Sequence, residues 1–262
     1  MKEKLRLAHV AKSFTENKQT VNVLADISLT VREGEFVTLI GPSGSGKSTI
    51  FKLIGGLLVP DAGTIELDGE SIVGRKGLIS YMPQGNSLFP WRTVEQNVAL
   101  ALEISGRARK QAILEARKWL GKAGLAGYEH VYPHVLSGGM QQRAAFLRAL
   151  LAPRELMCLD EPFGSLDAFT RIGMQQWLLR VWEESRRTVL FITHSIEEAI
   201  FLSDRIYVLS AKPTRILREF AVPFARPREE AVMLGAEFAD LRKEIYELMR
   251  KACPFETGTG EG

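Results

Sequence analysis

The sequence predicts an α/β fold: a parallel sheet core preceded by antiparallel strands and interrupted by a helical block. Three observations carry that expectation. Val37-Thr38-Leu39-Ile40 is an apolar run of strand formers, Gly41-Pro42-Ser43-Gly44-Ser45-Gly46-Lys47-Ser48 is a glycine loop, and Thr49-Ile50-Phe51-Lys52-Leu53-Ile54 has helical spacing. Strand, loop and helix follow in the order that a phosphate-binding loop requires. Leu156–Leu159, Thr188–Thr193 and Arg205–Leu209 are further strand-like runs with helical stretches between them, the alternation of a parallel sheet. Residues from about 85 to 152 contain no strong strand run and read as helices.

The elements follow in order. Leu5, Leu7 and His9-Val10, then Val21–Leu24 and Ile27–Val31, alternate as strands, and Glu33-Gly34-Glu35 is a turn. Val59-Pro60-Asp61-Ala62-Gly63 is a loop with two breakers. Thr64–Gly69 reads as a strand running into a tight turn, and Leu78–Met82 as a strand ending at Pro83. In the helical block, Thr93-Val94-Glu95-Gln96 is a capping box, and Ala108–Ala123 and Met140–Ala152 are helices. After about residue 221, Val222-Pro223-Phe224 and Arg226-Pro227 lead into a polar amphipathic helix through Met249. The small polar run Thr257–Gly262 is expected to be disordered. The expected organisation is a main domain over 1–220, its helical part at about 85–152, and an extension over 221–262.

Composition fits a globular chain: 262 residues, 45% hydrophobic and 25% charged. The net charge of +3 gives no bulk electrostatic reason to expect nucleic acid. Arg107, Arg109 and Lys110 form the densest basic cluster and read as a solvated loop and helix start. Two cysteines, Cys158 and Cys253, make no disulfide framework, and Cys158 sits in an apolar strand as core packing. The charged start Met1–Arg6 lacks the apolar stretch of a signal peptide, and no run approaches the roughly 18 apolar residues of a membrane span. A reducing cytosol fits, and at a membrane another polypeptide would have to hold the chain.

The chemistry lies in the glycine loop. Gly41, Gly44 and Gly46 let backbone N–H groups converge on one anion, and the helix starting near Lys47 adds its positive dipole end. Lys47 would reach the β- and γ-phosphates of a nucleotide and Ser48 would hold Mg²⁺, with Pro42, Ser43, Ser45 and Thr49 completing the cradle. A second helix start, Leu136-Ser137-Gly138-Gly139-Met140-Gln141, presents a hydroxyl and free amides. Alone, Ser137 is equally a simple N-cap. Leu156-Met157-Cys158-Leu159-Asp160-Glu161 then ends a buried strand in two carboxylates, as a Walker B segment does. Adjacent strand residues point to opposite sides, so Asp160 and Glu161 can do different work.

At these residues the chain resembles the ATP-binding subunits of ABC transporters, over nearly its whole length. Phe14 stands at the adenine-stacking position, usually tyrosine; Gln84 in Tyr81-Met82-Pro83-Gln84 matches the Q-loop; Ser137–Gln141 matches the family signature; Ser165-Leu166-Asp167 matches the D-loop; and His194 in Ile192-Thr193-His194-Ser195 matches the switch histidine. Phe14 in place of tyrosine keeps a stacking ring and loses a hydroxyl, and Met140 replaces a commoner glutamine.

The resemblance implies a P-loop ABC-ATPase fold: a RecA-like core with an antiparallel β-subdomain and an inserted helical subdomain. It implies ATP and Mg²⁺ as ligands. Ser48, Gln84 and Asp160 would stand around the metal, and Glu161, His194 and Gln84 around the attacking water and γ-phosphate. It also implies a head-to-tail homodimer, each ATP lying between one P-loop and the signature residues Ser137, Gly138, Gly139, Met140 and Gln141, with Asp167, of the other copy. A polytopic permease would anchor the dimer at the cytoplasmic face of the membrane, with a solute-binding protein as an indirect partner. Leu88-Phe89-Pro90-Trp91-Arg92-Thr93-Val94 carries two aromatics that either tuck into local core or dock a permease helix. The same run, with Leu136–Arg143 and Asp160–Asp167, looks like the branch importing nitrate, aliphatic sulfonates, taurine or pyrimidine precursors. The alternatives are an ABC importer ATPase of another substrate branch and a soluble ABC ATPase of DNA repair or translation, though this chain has neither a long coiled-coil insertion nor a second cassette. A P-loop kinase or GTPase lacks the signature run and the switch histidine.

His9, His130 and His134 have no evident partner in the sequence, and Trp119, Trp177 and Trp182 fall on amphipathic helices as packing residues.

Overall fold

The computed structural model describes residues 2–16, 18–85, 87–164 and 166–252, without the side chain of Glu16. Ser165 of the expected D-loop, Cys253 and the run Thr257–Gly262 lie outside the described residues.

The five-residue strand β3 (Phe36–Ile40) is buried at every position. A run without polar alternation needs cover on both faces, which suits the middle of a parallel sheet. It pairs in parallel with β8 (Thr188–Thr193) and β9 (Arg205–Leu209), and β8 pairs in parallel with β7 (Leu156–Asp160), which pairs with β6 (Ser80–Met82). The strand expected from Leu78 is shorter, beginning at Ser80. Helix α1 (Lys47–Ile54) leaves the loop after β3 and buries Phe51, Leu53 and Ile54.

The antiparallel part is a long hairpin of β1 (Glu3–Glu16) and β2 (Gln19–Arg32), flanked by β4 (Ala62–Leu67) and the short β5 (Glu70–Ser71). Two strands were not expected from the sequence, the short β5 and a longer one after β9. β10 (Thr214–Ala221) lies antiparallel to β9 and pairs in parallel with β2 at Thr214–Leu24 and Arg215–Asp26. Among the described residues it joins the two halves into one sheet of ten strands, ordered β5-β4-β1-β2-β10-β9-β3-β8-β7-β6.

Between β6 and β7 the chain is helical: α2 (Val94–Ile104), α3 (Arg109–Lys122), a 3-10 turn at Pro133–Val135, and α4 (Gly138–Leu150). Thr93 closes α2 with a two-way capping box to Gln96. Val98, Leu102, Ala116, Leu120 and Leu147 pack in one core that continues beneath β7 and β8. Helix α5 (Ala168–Ser185) follows Asp167, and Trp182 packs edge-on against Phe36, 5.7 Å between ring centroids. Trp119 and Trp177 pack partly buried against the same core, as expected.

Helix α6 (Ile196–Leu202) lies between β8 and β9. Past β10, Arg228 donates to the carbonyls of Ile200 (3.0 Å), Phe201 (3.0 Å) and Ser203 (2.7 Å), supplying the partners that the end of α6 lacks. Helix α7 (Ala236–Ala252) then buries Phe238 and Ile245 in the cluster around Ile40, Ile200 and Val208. Among the described residues no helix is long and apolar enough to cross a membrane.

Candidate functional site

A pocket of about 650 Å³ opens over the glycine loop, lined by Phe14, Val21, Val23, Ser43, Gly44, Ser45, Gly46, Lys47, Ser48, Thr49, Gln84, Glu161 and Lys212. The loop holds its shape through glycine geometry. Gly46 has φ +90°, and a Cβ there would lie 2.6 Å from Val23 Cγ1 and 3.1 Å from Leu24 Cδ2. Only a residue without a side chain lets β2 press so closely on the start of α1. Gly41 and Pro42 lie under the loop, where their carbonyls each accept from Lys47 Nζ at 2.9 Å. Burial pushes the Lys47 ammonium below its usual pKa, against the pull of Glu161 and Asp160.

The carboxylates lie beside the lysine. Asp160 ends β7 nearly fully buried, and Tyr81 donates to its Oδ2 at 3.4 Å. Burial raises its pKa, while a hydrogen bond from Ser48 opposes the rise. Its other oxygen, Oδ1, is buried with no hydrogen-bond partner. A buried carboxylate oxygen left unsatisfied beside a serine hydroxyl is the donor set a hard divalent cation uses. The residues present therefore fit Mg²⁺.

Glu161 departs from the simple strand alternation. It lies one residue past β7 with φ +46°, and its N–H donates to Ile192 O at 2.9 Å. The turn, rather than the pleat, aims its side chain into the pocket. There Glu161 Oε2 accepts from Gln84 Nε2 at 3.1 Å and lies 3.3 Å from His194 Nδ1. Three segments distant in sequence thus meet on one carboxylate oxygen.

The second helix start stands apart from this pocket. Ser137 caps α4 by accepting from Met140 N at 3.4 Å. Met140 packs against the helical core, and Gln141 Nε2 donates to Leu136 O at 3.1 Å. Asp167 caps α5 by accepting from Thr170 N at 3.0 Å. Gly138 has open space where a side chain would be, whereas Gly139 packs tightly on α5: a Cβ would lie 2.9 Å from Thr170 Cγ2. None of Ser137, Gly138, Gly139, Met140, Gln141 or Asp167 lines the pocket over their own glycine loop.

Other residues find ordinary partners. His9 Nδ1 lies 3.2 Å from Asp26, His130 Nδ1 lies 3.3 Å from Glu95, and the His134 ring stacks on Tyr132. Arg107 and Lys110 are exposed, as expected. Cys158 is fully buried, and burial pushes its thiol pKa far up, so it is inert packing. Sequence reasoning missed three pocket residues. Val21 and Val23 gave no signal beyond strand alternation. Lys212 follows β9, and its place depends on Thr214, whose hydroxyl donates to Ser45 O.

A P-loop and a glutamate lining one pocket, with a buried strand-end aspartate beside the P-loop serine, define a nucleotide-binding P-loop protein. The family model described as ABC transporter matches residues 24–164. An uncharacterized ABC transporter ATP-binding protein of Methanocaldococcus jannaschii is 42% identical over 95% of this chain and 92% of its own. The formylaminopyrimidine import ATP-binding protein ThiZ of Halalkalibacterium halodurans is 42% identical over 95% of this chain and 97% of its own. The aliphatic sulfonates import ATP-binding protein SsuB of Bacillus cereus is 41% identical over 95% of this chain and 96% of its own. Among solved structures, the dimeric bacterial ABC transporter cassette MJ0796 superposes with TM-score 0.75 at 31% identity, over 84% of this chain and all of that one. Its dimeric post-hydrolysis state bound to ADP and Pi gives TM-score 0.74 at 30% identity. The chain belongs to the ABC transporter family of ATP-binding proteins.

Proposed function

We propose that this chain is the ATP-hydrolysing subunit of an ABC importer and energises uptake of a small solute. The observation that carries the reading is the pocket lined by Lys47, Gln84 and Glu161, with Gln84 and His194 both on Glu161 Oε2 and Asp160 close enough to act on the Lys47 charge. The names of the importer relatives, for formylaminopyrimidine and aliphatic sulfonates, favour a small organic solute of that range. The main domain over 1–220 carries this site, and the extension over 221–262 follows it.

In this reading the P-loop amides and Lys47 bind the phosphates of ATP, with Phe14 beside the base. Lys47 leaves the Gly41 and Pro42 carbonyls to do so. Ser48, Asp160 and Gln84 would hold Mg²⁺, which when bound neutralises charge on the phosphate oxygens. Glu161 takes a proton from the attacking water, and His194 fixes its carboxylate and faces the γ-phosphate. Because the signature face lies outside the chain's own pocket, a second copy completes each site, head to tail, with Ser137–Gln141 and Asp167 meeting the partner's nucleotide. The dimeric state of the related cassette supports that pairing.

A membrane subunit docks at the groove of about 450 Å³ lined by Ile79, Ser87, Phe89, Leu100, Ile104 and Arg148, among others. Buried Asn97 holds the rim: it accepts from Phe89 N at 2.7 Å and donates to the carbonyls of Phe89, Arg92 and Thr93 at 3.0–3.1 Å. Trp91 is 70% exposed and tilted against Phe89, with ring centroids 5.2 Å apart. Arg148, on the helix that begins at Ser137, donates to Ser87 O at 2.8 Å. The groove is therefore tied to both the Gln84 loop and the signature helix. Such a partner places the chain at the cytoplasmic face of a membrane.

The test is Mg²⁺-dependent phosphate release by the purified chain, alone and with its permease, for wild type and Lys47→Ala. Wild type should hydrolyse slowly alone and faster with the permease. Lys47→Ala should lose nucleotide affinity by about tenfold or more, as loss of a charge-assisted contact predicts. Unchanged affinity and turnover in that variant would overturn the assignment.

A further inference from the structure

We propose that Glu198 is a positioning residue for ATP hydrolysis, fixing the His194 loop to the segment that carries Asp167. The proposal rests on the reading of His194 given above.

Glu198 lies in the first turn of α6, four residues past His194, and is buried. Its Oε2 accepts from the Thr193 hydroxyl. The same hydroxyl oxygen accepts from Ser195 N at 3.1 Å, so one side chain ties together the residues on either side of His194. The main chain of Glu198 adds a second tie, its N–H donating to Ser195 Oγ at 3.2 Å. The backbone that aims His194 at Glu161 is thus held from both ends by Glu198.

The other oxygen faces α5. Glu198 Oε1 accepts from Gln175 Nε2 at 3.1 Å and lies 3.8 Å from Arg171 Nε. Arg171 and Gln175 are four residues apart and share one face of α5. Arg171 also donates through Nη2 to Leu166 O at 2.8 Å, the carbonyl just before Asp167. At this end of α5, Thr170 receives the close approach of Gly139 from the signature helix. One buried carboxylate therefore spans from the loop of His194 to the first turn of α5.

A carboxylate is an expensive way to fill such a space. Burial raises the pKa of Glu198, and Thr193, Arg171, Gln175 and His194 oppose the rise. Apolar side chains of similar volume usually serve stability at least as well as a buried ion pair. What the carboxylate adds is direction: two oxygens, each fixed to a different element. Of the two elements, one carries a residue of the chain's own site and the other carries Asp167, on the face that meets the partner's nucleotide.

The experiment uses the full chain and two variants, Glu198→Gln and Thr193→Val, with His194→Ala alongside. Turnover, ATP affinity from a fluorescent nucleotide analogue, and melting temperature are measured on each. The expected result is a fall in kcat of about fivefold or more in both variants, with the dissociation constant within about twofold of wild type. A residue serving only stability would move the melting temperature and leave that split absent. Thr193→Val is nearly isosteric and decides the matter if Glu198→Gln does not fold. Turnover within twofold of wild type in the folded variants, or affinity lost in step with turnover, would overturn the proposal. Wild-type turnover in His194→Ala would instead overturn the role of His194 itself, whatever the other variants do.

Discussion

His194 Nδ1 lies 3.3 Å from Glu161 Oε2, although 33 positions separate the two residues in the chain. The Glu161 side chain is mostly buried, while that of His194 is about half exposed. The pair is therefore a mostly buried carboxylate, the base in the proposed function, held by a more exposed partner. Removing the base should be worse than loosening it.

Glu161→Gln should keep nucleotide affinity and lose turnover by a factor of about 10² to 10⁴, the range expected when a positioned general base is removed. The amide keeps the shape and cannot take the proton. With ATP and Mg²⁺ the variant should shift from monomer to dimer on size-exclusion chromatography, because the closed pair is no longer released by hydrolysis. Full turnover would move the base elsewhere.

Gly46→Ala should abolish nucleotide binding and lower stability. The added methyl meets Val23 Cγ1 at 2.6 Å, and the backbone at φ +90° disfavours any side chain. Strain and overpacking at such a site each cost about 1–3 kcal/mol. That corresponds to a melting temperature lower by several degrees for a chain of this size. Calorimetry with and without nucleotide separates the two losses.

Trp91→Ala should leave the isolated ATPase active and its melting temperature nearly unchanged, because the ring is 70% exposed. Assembly with the permease should weaken by about 2 kcal/mol or more, as for a truncated aromatic anchor. Co-purification and melting temperature on the same sample decide the point. A large drop in stability with assembly intact would make Trp91 local packing instead.

Asp61→Asn should narrow its stability gap to wild type as pH falls. Lys12 Nζ, Ser13 Oγ and Ser13 N each donate to the Asp61 carboxylate at 2.6 Å. Led by Lys12, these contacts hold its pKa down at about 2. The folded pKa lies below the unfolded one, so the contribution is complete above the ordinary carboxylate pKa of about 3.9 and is lost as pH falls towards 2. The carboxylate is partly exposed, so water screens the effect and the gap is small even at neutral pH. Melting curves for both proteins between pH 6 and pH 2.5 test the convergence.

The motifs at 41–48, 136–141 and 156–161 were legible because each is a short continuous segment whose local geometry follows from its own residues. Glycines set the loop, hydroxyls cap the helices, and an apolar run makes the strand. β10 was not legible. Thr214–Ala221 is exposed at most positions and lacks a clear apolar alternation. Its strand conformation comes from pairing with β9, and its placement from Thr214 reaching β2 and Ser45. The partners of His9 and His130 were hidden for the same reason, since Asp26 and Glu95 belong to other elements.

Sequence alone determined that this chain carries a P-loop, a Walker B pair, a glutamine and a histidine in the order of an ABC ATPase. It did not determine how they meet. Strand alternation separates Asp160 from Glu161, but the left-handed turn at Glu161 decides where that carboxylate points. Parallel pairing of β6, β7 and β8 brings the ends carrying Gln84, Glu161 and His194 to the same edge of the sheet. The Glu198 tie between α5 and α6 exists only because β8 and α6 return the chain to α5's flank. Hydrogen bonds reach about 3 Å, and only packing brings residues that lie tens of positions apart within that distance.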